Sequence, residues 1–75
     1  MKILKTESIE KTKVELVEFA QPIYGGLYGV IAYINGQEIG RRDGLTLAAA
    51  IETYNETKRG ANAYLYNQRY NSLNY

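Results

Sequence analysis

The chain has 75 residues, with nine Lys and Arg against eight Asp and Glu and neither Cys nor His. That length supports one domain whose single core contributes roughly 3–5 kcal/mol of net stability. Without thiols or imidazoles, disulfides, thiolate chemistry, the usual zinc sites and a histidine acid or base are excluded, and a formal charge of +1 builds in no long-range attraction to phosphate.

Residues 2–7 alternate weakly and predict a short edge strand with Ile3 and Lys5 on one side. The opening Met-Lys-Ile-Leu-Lys-Thr-Glu lacks the apolar run of a signal peptide and no window approaches a membrane span. A cytoplasmic protein is therefore expected, in the host cell's cytoplasm if the chain is phage-encoded. Residues 8–13 read as a polar turn, and 13–20, rich in Val, Leu and Phe, as a second strand. Through residue 19, four Lys interleave with four Glu, which suits a solvated edge that discourages sheet-to-sheet association. Residues 21–26 predict a connection: Pro22 removes a ladder donor, and Gly25-Gly26 admits backbone angles that other residues resist. That Gly pair precedes a strand with no Gly-Lys-Ser/Thr after it, so it is a turn and not a phosphate cradle.

Leu27 to Ile34 is the strongest strand, and Asn35-Gly36 is the favoured pair for a two-residue type I′ turn. Strict hairpin register then pairs Ile34 with Gln37, Tyr33 with Glu38, Ala32 with Ile39 and Ile31 with Gly40. Tyr28, Val30, Ala32, Ile34 and Ile39 fall on one face, suited to receive a helix; Leu27, Ile31, Tyr33, Glu38 and Arg42 fall on the other, expected to be exposed. Asp43 or Thr46 is positioned to cap a helix whose stripe runs through Leu47, Ala50, Ile51, Tyr54, Lys58 and Ala61. Gly60 is a candidate stop; if it is internal, the stripe continues to Leu65 and the helix to about Gln68. Residues 61–75 hold four of the eight tyrosines, four Asn and one charged side chain, Arg69. Tyr and Asn suit a contact surface, so this segment is either folded over a sheet edge or partner-binding.

The expected fold is α+β: an antiparallel three- to four-stranded meander over residues 2–42, packed on one face by a helix over 45–59, with the Tyr/Asn-rich segment 61–75 completing a single domain 1–75. Tyr28, Val30, Ala32, Ile34, Asn35, Gly36, Gln37 and Ile39, then Thr46, Ala50, Tyr54, Asn55 and Glu56, then Gly60, Ala63, Leu65 and Asn67 carry a resemblance. In order and spacing, residues 28–67 resemble the small three-stranded-sheet-plus-helix DNA-binding domain of ethylene-response factors and phage integrases. The resemblance implies DNA contact from the sheet face away from the helix, at Gly29, Ile31, Tyr33 and Glu38. None of those is basic here, and Arg41-Arg42 replaces the family's Leu-Gly.

A non-enzymatic binding protein is therefore expected, in the manner of a phage or mobile-element accessory that inhibits a host or defence ribonucleoprotein complex (anti-CRISPR-like). The candidate partner-binding residues are Leu27, Ile31, Tyr33, Arg41, Arg42, Tyr64, Tyr66, Arg69 and Tyr70, matching the aromatic and Arg bias of interface cores. The competing reading is a DNA-binding module. No catalytic, cofactor-binding or metal residue is expected: Glu52 and Glu56 stand one helical turn apart but off the apolar stripe, as on a solvated face. Homo-oligomerisation is open, since small domains with an exposed apolar face often use it.

Overall fold

The structure is a computed structural model; it describes the backbone of residues 1–73 and the side chains of residues 1–60. Four antiparallel strands, β1 (Lys2–Ile9), β2 (Thr12–Ile23), β3 (Gly26–Ile34) and β4 (Gln37–Leu45), form an open meander in chain order, followed by one helix, α1 (Leu47–Leu73). The fold is α+β, with the sheet covered on one face.

Three tight turns make the meander, each opening on a residue in the left-handed region: Glu10 (φ 54), Tyr24 (φ 52) and Asn35 (φ 54). Asn35 and Gly36 (φ 79) are both positive, as type I′ requires. The polar turn expected over 8–13 shrinks to Glu10-Lys11, because Thr12 starts β2 and its hydroxyl is satisfied by the Ile9 carbonyl at 2.8 Å. The connection expected over 21–26 is likewise shorter, since β2 runs through Pro22 to Ile23. Proline is tolerated there because the ladder with β3 is irregular between Glu18 and Ile23, where a missing donor costs little.

The ladder of β3 with β4 departs from strict register. Ile34 pairs with Gln37 and Tyr33 with Glu38, but Ala32 then pairs with Gly40, Ile31 with Arg41 and Val30 with Arg42. Ile39 is the extra residue of a bulge and is 60% exposed, which corrects its expected place on the helix-facing side. The slip carries Arg42 and Gly40 to the helix side and Arg41 to the opposite one, reversing their expected faces. A second shift lies between Ile3 and Lys5, where Leu4 is the extra residue, so these two occupy opposite faces rather than one.

On the helix side, Val14, Leu16, Val30, Ala50 and Tyr54 form the core, with Tyr28 and Leu45 against it. Each large side chain buried there contributes about 1.5–3 kcal/mol. Thr46, not Asp43, caps the helix: its Oγ1 accepts the Ala49 N–H at 3.2 Å. Alanine at 50 lets the helix lie close to the sheet, and the packed stripe narrows to Ala50, Tyr54 and the half-buried Thr57 and Lys58. Leu47 and Ile51, expected in the core, are each 44% exposed on the helix flank. Gly60 does not stop the helix, whose backbone continues to Leu73.

Candidate functional site

The sheet face that carries no helix is organised in rows by the pairing register. One row reads Ser8, Lys13, Tyr33, Glu38 across β1 to β4; the next reads Thr6, Glu15, Ile31, Arg41. A third holds Ile3, Val17 and Gly29. Beyond it, Phe19 packs its ring over Gly29, where an added Cβ would meet Phe19 Cε2 at 2.9 Å, and alternation along β3 places Leu27 on the same face. The face thus has a polar end and an apolar end.

Its middle is dry. Val17, Ile31 and Glu15 are buried, and each stands on one of the two central strands. Around them Ile3 (51% exposed) and Leu27 (38%) meet solvent, and Phe19 and Tyr33 are half-buried.

The cations of the polar end are internally paired. Lys13 Nζ lies 3.6 Å from Glu15 Oε2 and 4.5 Å from the centroid of the Tyr33 ring, joining carboxylate, ammonium and aromatic face in one cluster. Arg41 reaches Glu38 Oε1 through Nη1 and Asp43 Oδ1 through Nε, each at 3.2 Å. Partial burial, and then the Glu15 carboxylate as hydrogen-bond acceptor and as charge, raise the Tyr33 hydroxyl above its ordinary value. The Asp43 hydrogen bond foremost holds Arg41 even more firmly protonated than usual.

Of the residues expected to bind a partner, Leu27, Ile31, Tyr33 and Arg41 do share this face. Ile31 is only 2% exposed, so it supports the surface from beneath and does not present itself, contrary to the expected exposure. Arg42 is on the helix side, in a cleft of about 290 Å³ lined also by Val30, Gly40, Arg41, Thr53, Glu56 and Thr57. Tyr64, Tyr66, Arg69 and Tyr70 fall on the last part of α1, and their side chains lie outside the described residues. The contribution of β2, through Lys13, Glu15, Val17 and Phe19, was missed by sequence reasoning. Its signal was present, since period-2 alternation from Lys13 separates these four from Val14, Leu16 and Glu18.

Glu52 and Glu56 are both exposed on α1. Among the described residues no three His, Cys, Asp or Glu stand close enough to hold a metal ion, and no helix is long and apolar enough to cross a membrane. Compared with known protein families, curated proteins and solved structures, the chain matches none.

Proposed function

We propose that the chain is a small non-enzymatic binding protein that docks on a protein partner through the open face of its sheet. The observation that carries this reading is the make-up of that face: an accessible apolar end, Ile3, Phe19 and Leu27, beside a polar end whose charges are already satisfied. Apolar area beside paired polar groups, with an aromatic residue, Tyr33, among them, fits the composition of protein interfaces.

Charge argues against the DNA-reading alternative at this surface. The face carries two cations, Lys13 and Arg41, and three carboxylates, Glu15, Glu38 and Asp43, with both cations ion-paired. A phosphate backbone would have to displace those carboxylates, and the counterion-release term behind non-specific affinity would be small. A protein surface needs no such exchange.

Capture from a lysate of the native host, using the wild type and the Tyr33→Ala, Leu27→Glu and Arg42→Ala variants, tests the reading. The first two lose the partner and Arg42→Ala retains it. Equal recovery by all four, or salt-dependent binding to duplex or single-stranded nucleic acid in place of protein, overturns it.

A further inference from the structure

We infer that β1 is a releasable strap: it leaves the sheet while β2, β3, β4 and α1 stay folded, and a latch to α1 on the helix side sets how often it does so.

Burial singles out this strand. Every residue of β1 is exposed except Glu7, which is half-buried, whereas β2 beside it buries Thr12, Val14, Glu15, Leu16 and Val17. The ladder that holds β1 is itself interrupted between Ile3 and Lys5. A segment that buries no apolar side chain of its own and keeps its backbone hydrogen bonds near water opens at less than the global cost. The other edge strand, β4, is as exposed over residues 37–42, but it is anchored at its far end. Leu45 packs against the core, Gly44 lies against Gly26, and Thr46 caps the helix that follows. β4 cannot leave without disturbing the core; β1 can, at the cost of baring the flank of β2.

Beyond its ladder, β1 is tied among the described residues by two charged contacts, both to α1: Glu7 pairs with Lys58, and Lys5 lies over the Tyr54 ring. The first joins partly exposed groups and is weakened by salt. The second covers a ring whose buried hydroxyl has no hydrogen-bond partner among the described residues, so the closed state carries an unsatisfied polar group that water reaches once the strap lifts. The same strand carries Ile3 on the opposite, open face. Release takes Ile3 off that face, so a change at the latch is felt across the sheet, a consequence that rests on the reading of the face as a docking surface.

Native-state hydrogen exchange of the full chain in a low-urea series, followed amide by amide by NMR, tests the strap. The ladder amides of β1 are protected about tenfold less, or weaker still, than those of β3 and β4, and their exchange depends little on urea, as local opening requires. Leu45→Ala, which weakens the core, speeds exchange in β3 and leaves β1 where it was, because that site stays folded when the strap lifts. Glu7→Gln speeds exchange in β1 by about twofold to fivefold. Equal protection and equal urea dependence in β1 and β3, or Leu45→Ala speeding both alike, overturns the strap; Glu7→Gln without effect on β1 overturns the latch. No partner enters the measurement, so its failure leaves the docking reading standing.

Discussion

Lys58 Nζ lies 3.3 Å from Glu7 Oε1, joining the helix to the outermost strand across 51 positions of sequence. Lys5 and Lys58 also bracket the Tyr54 ring, 5.6 and 5.9 Å from its centroid. Both partners of the ion pair are partly exposed, with side chains 29% and 39% accessible, so solvent screening limits its worth. Lys58→Met and Glu7→Gln are each expected to lower stability by less than about 1 kcal/mol. A double-mutant cycle in urea measures the coupling; a value of several kcal/mol contradicts this account.

Tyr54 is 1% exposed, and its hydroxyl has no hydrogen-bond partner among the described residues. An unpaired buried hydroxyl costs about 1–3 kcal/mol, so Tyr54→Phe is expected to leave stability unchanged or raise it by about 1 kcal/mol. Tyr54→Ala, which empties the core, is expected to cost about 3–5 kcal/mol. Urea denaturation of the two variants separates the roles of ring and hydroxyl.

Burial foremost, with the Glu7 charge adding to it, raises the Tyr54 pKa above its ordinary value. The folded state therefore holds this proton more tightly than the unfolded chain. The stabilisation is complete below the unfolded value of about 10 and is lost as pH rises through the folded one. Wild type is expected to weaken above about pH 10 more steeply than Tyr54→Phe. Parallel alkaline melting curves for the two proteins would contradict the shift.

Gly26 faces Gly44 so closely that an added Cβ at Gly26 meets the Gly44 carbonyl carbon and oxygen, and Gly44 itself has φ +75. Gly26→Ala must push backbone aside and is expected to destabilise by more than about 1 kcal/mol, whereas Gly40→Ala, whose Cβ meets nothing within 4 Å, is near neutral. Thermal melts of the two variants check the ordering.

The meander was legible from local chemistry: Asn35-Gly36 fixes a type I′ hairpin, and Thr46 opens the helix as its polar oxygen allows. The register shifts were not legible. An extra residue at Leu4 or Ile39 leaves no mark on composition, yet the one at Ile39 reverses the faces of Gly40, Arg41 and Arg42 before a further shift returns Leu45 to the helix side. Strand alternation separates Arg41 from Arg42, and the bulge decides which of them takes the open face. Ile31 illustrates a different limit: it is buried on a central strand between Glu15 and Arg41, and that place exists only once register is set.

The central claim is that the open face, not the helix, meets a partner. Site-specific photo-cross-linking tests it most directly, with a photoreactive phenylalanine derivative placed in turn at positions 27, 33 and 52 of the full chain in its native host. The account predicts one discrete protein adduct from positions 27 and 33 and none from 52, on the exposed helix surface. Adducts from 52 alone, or nucleic-acid adducts from 27 and 33, contradict it.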